Sequence, residues 1–290
     1  MSVHRLVTGH VSAHLTLPDG LDTSPARAAG SSLPGGWHLE PAPAGTAAVE
    51  VTVGTPTLAA DVDTVRVTLP RPAVEAETLA YVTYTATERA RQQQHRVTVH
   101  ATALIAPGGR AVLLLGDKGA GKTSTALALA MRGWVHAGDD LVVLGEMGDG
   151  LAVWPGKPTA AVRDPAQPLA PKPQYALEPF ATAPAPLAHV VRLAVHPALT
   201  TAALTPAVPL PVNERLRLHE LLARYISGLP TPLNGVTCIP YGPVWPLDTP
   251  ELACWRHHLI GRLAEGRFDY LYAPGPETAA DLLIKEADAG

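Results

Sequence analysis

The chain has 290 residues, of which 47% are hydrophobic, 17% charged and only 5% aromatic, with a formal net charge of −4. That balance allows a proper buried core and gives no general drive toward nucleic acid or an anionic membrane. Two cysteines, Cys238 and Cys254, are too few for a disulfide framework and read as small buried apolar residues in a reduced protein.

In chain order, the first hundred residues read as β-rich. His4–Leu17, Ala47–Val53 and Val62–Leu69 alternate or carry β-branched residues. Ser24–Gly45 is dominated by Pro, Gly, Ala and Ser and reads as a long loop. Ala73–Arg96 is expected to be helical, with Leu79, Val82 and Ala86 at helix-like spacing and a polar end from Glu88. Val97–Ile105 reads as an alternating strand, and Ala111–Leu115 as a short strand buried on both faces. A helix is expected over Thr123–Arg132 with Gly133 as its C-cap. Asp139 and Asp140 then precede an apolar strand, Leu141–Leu144. Pro155–Pro186 is proline-rich and reads as a solvated linker or a substrate-covering loop. Glu214–Ile226 and Pro250–Glu265 read as helices, the second with Thr249 as N-cap. Phe268–Tyr272 reads as a strand and Pro276–Ala287 as a last helix. The expected division is a β-rich region, 1–96, followed by a catalytic domain, 97–290.

The chemistry concentrates at Gly116–Thr123, G-D-K-G-A-G-K-T, which matches G-x-x-x-x-G-K-[ST] at every specified position. An apolar strand before it and a helical pattern after it are the context such a loop requires. Gly116, Gly119 and Gly121 permit backbone angles that let successive amides face one phosphate. The helix beginning near Lys122 adds its positive dipole end. The loop, Gly116, Asp117, Lys118, Gly119, Ala120, Gly121, Lys122, Thr123 and Ser124, is therefore expected to hold a nucleoside triphosphate. Lys122 would meet the β- and γ-phosphates, and Thr123 would ligate Mg²⁺. An Asp-Asp pair is commonly a turn or a cap, but here it stands 17 residues after Lys122. Two carboxylates suit phosphoryl transfer, which needs metal binding and a proton acceptor. No Asn-Lys-x-Asp sequence is present to read guanine.

The order of these features resembles the catalytic domain of the HPr kinase/phosphorylase family. That family carries a histidine near the start of a strand, a GDSGxGKS loop, a hydrophobic helix ending Arg-Gly, and an Asp-Asp pair. The matching residues are His100, Gly116–Thr123, Ala126–Arg132 with Gly133, and Asp139-Asp140, a stretch of about 45 residues. The resemblance implies an α/β fold with α+β tendency, whose sheet is related to phosphoenolpyruvate carboxykinase. It implies an ATP- and Mg²⁺-dependent kinase that phosphorylates a hydroxyl of a peptide, small protein or small molecule. Under it, Asp139 is the candidate base, Asp140 a second metal contact, Lys122 a phosphate-holding catalytic residue and His100 a residue lining the site. It also raises the expectation of a homo-oligomer. The family's E-[VI]-R-G-x-G stretch is absent after Asp140, with Val162-Arg163-Asp164 at best a remnant, so phosphorylase activity is not expected. A nucleotide sensor, or an ATPase without an acceptor, is the alternative.

Other residues carry weaker signals. Arg163, Arg215, Arg217 and Arg256 are candidates for contacting the transferred phosphate, against a reading as solvated surface residues. His257 and His258 diverge on a helix and do not suit shared metal ligation. MSVHRLVTGH has no apolar h-region, and no apolar run approaches membrane-spanning length. The expectation is a cytoplasmic protein with no nucleic-acid or membrane partner.

Overall fold

The computed structural model describes all residues except 44, 62–63, 163–171, 228–246 and 290. Arg163 and Cys238 lie outside the described residues. The chain divides into two compact units, Met1–Thr98 with His219–His257, and Val99–Leu218 with His258–Gly290. The architecture is mixed α/β.

The first unit opens on a hairpin of β1 (Ser2–Thr8) and β2 (Val11–Leu17). The expected single strand His4–Leu17 is broken at Gly9 and His10, whose φ angles of 59° and 60° make the two-residue turn. The expected loop Ser24–Gly45 instead holds α1 (Ser24–Gly30) and β3 (Trp37–Pro41). Proline within the first two helical positions suits a helix start, which composition alone disguised. β4 (Val49–Val53), β5 (Thr57–Ala60) and β6 (Val65–Leu69) complete a sheet ordered β3-β1-β2-β4-β6-β5.

The expected helix Ala73–Arg96 is three pieces, α2 (Arg71–Val74), α3 (Thr78–Ala86) and α4 (Glu88–Gln93). Within its polar end Glu88, Arg91 and Gln92 are buried, because their polar groups satisfy one another. Arg91 ion-pairs with Glu88 and lies 4.3 Å over the Tyr84 ring, while Glu88 also accepts the Thr98 amide at 3.0 Å.

β7 (Arg96–Val99) is followed by β8 (Thr102–Ile105), so the strand expected over Val97–Ile105 is interrupted at His100. The second unit then continues with β9 (Ala111–Leu115), α5 (Lys122–Ala130), β10 (Val135–Gly138), β11 (Val142–Met147) and β12 (Gly150–Trp154). β13 (Thr159–Ala161) and β14 (Gln174–Ala176) pair with each other, so the described part of the proline-rich stretch is folded rather than a bare linker. β15 (Ala185–Val195), β16 (Ala203–Pro206), α6 (Val212–Ala223), α7 (Pro250–Glu265), β17 (Phe268–Ala273) and α8 (Pro276–Ala289) complete the chain. Thr249 caps α7, its Oγ1 accepting the Leu252 amide at 3.3 Å. Cys254, on α7, is exposed rather than buried.

The sheet of the second unit contains the order β10-β8-β9-β15-β12-β11. β15 runs parallel to β9 on one side and to β17 on the other. The five residues of β9 are all buried, as a strand covered on both faces requires. On one face Val112, Leu114, Val191, Leu193 and Leu271 pack with Ala126 and Leu129 of α5 and Ala280 and Leu283 of α8. Among the described residues, no helix is long and apolar enough to cross a membrane.

Candidate functional site

The glycine-rich loop joins the carboxyl end of β9 to α5, where parallel strands of α/β sheets place ligands. Gly121 is the N-cap in a left-handed conformation, φ 89°, and a Cβ there would stand 2.7 Å from the Val195 Cβ. Gly116, at φ 155°, would bring a Cβ within 2.8 Å of the Leu193 carbonyl. Two of the loop's glycines are therefore demanded by close packing on β15 as well as by φ. The Val195 amide donates to the Ala120 carbonyl at 3.0 Å, which fastens the loop to the same strand.

Lys122 is the first residue of α5 and is buried. Its Nζ donates to the Gly116 carbonyl at 2.7 Å and to the Asp117 carbonyl at 3.3 Å, so the side chain folds back over the loop. Burial pushes its pKa down, opposed by the charges of Asp139, Asp140 and Asp117. Asp117, Lys118, Gly119 and Ser124 are exposed around the rim, and Ala120 is half-buried.

Asp139 meets the foot of the loop. It is 2% exposed, and its carboxylate accepts the Thr123 hydroxyl at 3.0 and 3.1 Å and the Thr102 hydroxyl at 2.5 Å. Burial first, then the charge of Asp140, raise its pKa, against the hydroxyl hydrogen bonds and the Lys157 charge. Asp140 has φ 63°, uncommon for a residue with a side chain, and is less buried. Its carboxylate lies 3.7 Å from the Lys157 ammonium. His100 Nδ1 donates to the Asp140 carbonyl at 3.1 Å, so His100 braces the backbone of the acidic pair.

The acidic pair is held by a segment the sequence reading placed in a linker. Asp139 N–H donates to the Lys157 carbonyl at 3.2 Å, and Lys157 N–H to the Leu141 carbonyl at 2.7 Å. Gly156 N–H donates to the Ala137 carbonyl at 2.6 Å, and a Cβ on Gly156 would stand 2.2 Å from the Leu141 oxygen. Gly156 is thus required by close backbone approach, and it delivers Lys157 to Asp140. Thr102 and Lys157 carried no sequence signal of their own, because their partners are 37 and 17 residues away.

The described candidate arginines bond to other partners. Arg256 belongs to the first unit, bonding Gln92 at 2.7 Å and Asp248 at 2.5 Å. Arg215 donates to the Leu210 carbonyl at 3.4 Å, and Arg217 is exposed, 3.9 Å from Glu214. Arg192, not singled out from the sequence, stands beside the strand that leads into the loop. It follows Val191 on β15, pairs in register with Leu115, and adds to the charges acting on Lys122.

Oxygen donors of the kind Mg²⁺ takes, the Thr123 hydroxyl and the Asp139 and Asp140 carboxylates, face the loop or flank it. Among the described residues no group of three or more His, Cys, Asp or Glu could hold a metal ion alone.

No family model matches the chain, and no curated protein matches it. Among solved structures, the HPr(Ser) kinase/phosphatase from Coxiella burnetii is similar over 36% of this chain and 63% of its own length, at 19% identity and a TM-score of 0.27. The chain thus spans less than two thirds of that protein, and the likeness is a distant one.

Proposed function

We propose that the second unit is a kinase domain that binds ATP with Mg²⁺ and transfers the terminal phosphoryl group to a hydroxyl. The observation that carries this reading is the Thr123 hydroxyl resting on the Asp139 carboxylate at 3.0 Å, directly below a complete phosphate-binding loop. A loop alone would serve any triphosphate-binding protein. A buried carboxylate at its foot, with a second one beside it, supplies the acid–base group that phosphoryl transfer to a hydroxyl uses.

In this scheme the loop amides and Lys122 hold the β- and γ-phosphates. Lys122 leaves the Gly116 and Asp117 carbonyls as the phosphates replace them. Thr123 and Asp140 would hold Mg²⁺, which offsets the phosphate charge when bound. Asp139 takes the proton of the acceptor hydroxyl; that oxygen forms a bond to the terminal phosphorus as the bond to the leaving diphosphate breaks. Thr102 and Thr123 fix the Asp139 rotamer, and His100 with Gly156 fixes the backbone that presents it. The acceptor is a peptide, protein or small molecule bearing a hydroxyl.

Titration with Mg²⁺ and ATP should show binding that Lys122→Ala weakens; unchanged affinity would remove the loop from the reading. Incubation with labelled ATP and a library of peptides and hydroxylated metabolites should move label onto an acceptor. Binding with no transfer and no hydrolysis would favour a nucleotide sensor, and steady phosphate release with no acceptor a plain ATPase.

A further inference from the structure

The transferred group in a phosphoryl transfer carries negative charge that a fixed cation stabilises, most effectively an arginine with its planar fork already oriented. We propose that Arg192 is that cation, reading the terminal phosphate of the nucleotide held by Gly116–Thr123; this rests on the nucleotide-binding reading above.

Three observations place it. Strands β9, β15 and β17 are parallel, and Arg192 stands in register with Leu115 on one side and Tyr270 on the other. Leu115 is the last residue before the loop, and the next residues of β15, Leu193 and Val195, touch Gly116 and Gly121. Second, Val191 and Leu193 turn into the core shared with α5 and α8, so Arg192 projects from the opposite sheet face. There it is mostly buried, its side chain 15% exposed.

Third, its guanidinium is gripped from one side. Nε donates to Glu214 Oε1 at 3.0 Å, and Nη2 donates to the same oxygen. Glu214 is fully buried, and its other oxygen accepts the Tyr270 hydroxyl at 3.4 Å. Nη1 makes no hydrogen bond among the described residues, which leaves an oriented pair of N–H donors for an anion. Glu214 is therefore a positioning residue for the Arg192 guanidinium. An ADP ligand lacks the group that Arg192 would contact, so discrimination between ATP and ADP is the signature.

The test measures the affinity of the full chain for ATP and for ADP, each with Mg²⁺. Arg192→Ala alone would strand Glu214 in the interior, so the double variant Arg192→Met with Glu214→Gln is used, and its melting temperature is checked against wild type. The double variant should lose on the order of 10- to 100-fold in ATP affinity, the worth of a charge-assisted hydrogen bond, with ADP affinity unchanged within about twofold. Arg192→Lys keeps the charge but not the fork and should fall between. An ATP-to-ADP ratio equal to wild type in the double variant, or equal losses for both nucleotides, would overturn the role of Arg192. Wild type binding neither nucleotide would instead overturn the nucleotide-binding reading itself.

Discussion

Replacing Gly156 by alanine tests whether the Pro155–Lys157 segment holds the acidic pair. The new Cβ would lie 2.2 Å from the Leu141 oxygen, 3.1 Å from the Ala137 oxygen and 3.1 Å from the Gly138 Cα. Neither carbonyl can yield cheaply. The Leu141 oxygen accepts the Lys157 amide, and the Ala137 oxygen accepts the Gly156 amide. Relief must open one or both of those hydrogen bonds, at about 1 kcal/mol each, on top of about 1–3 kcal/mol for overpacking. The sum is roughly 2–5 kcal/mol, or a fall of roughly 5–15 °C in melting temperature for a chain of this size. Because Lys157 and Asp139 share the strained backbone, Mg²⁺-dependent ATP binding should weaken as well. Calorimetric melting with nucleotide titration measures both. Gly261→Ala is the control: it lies within α7, nothing stands within 4 Å of its added Cβ, and it should stabilise by about 0.5–1 kcal/mol. A Gly156→Ala protein that melts within about 1 °C of wild type and binds ATP normally would refute the reasoning.

Asp139→Asn should raise the melting temperature at neutral pH while lowering phosphoryl transfer on the order of 100-fold or more. The raised pKa of Asp139 means that its ionised form costs stability as pH rises through the folded value. The gain should vanish below about pH 3.9, where the carboxyl is protonated in both folded and unfolded chains; a gain constant with pH would contradict this. His189 behaves in the opposite sense. It is buried, hydrogen-bonded to Asp269 at 2.8 Å, and its pKa is lowered, by burial first and then by the Arg267 charge. A lowered folded pKa makes its contribution present above about pH 6.5 and lost as pH falls toward the folded value. His189→Gln should therefore flatten the acid limb of stability in urea, and an unchanged limb would count against it.

The local structure of the loop was legible in the sequence. Gly116, Gly119, Gly121, Lys122 and Thr123 act through contiguous backbone, and the strand before and helix after them are set by short-range pattern, so the predicted Thr123–Arg132 helix differs from α5 only at its ends. The Asp-Asp pair was legible as a position before an apolar strand. Its partners were not. Thr102 reaches Asp139 through the β8–β9 pairing, Lys157 through backbone bonds to the acidic pair, and Arg192 stands beside Leu115 only through the parallel β9–β15 pairing, which no periodicity announces. The same limit explains the buried Glu88 and Arg91, which read only as part of a polar helix end because a paired charge and an exposed one look alike in sequence. The sequence by itself determined a glycine-rich loop between a buried strand and a helix. Only the tertiary structure decided which carboxylate touches Thr123 and which arginine stands beside Leu115, because those contacts depend on strand order and register rather than on residue type.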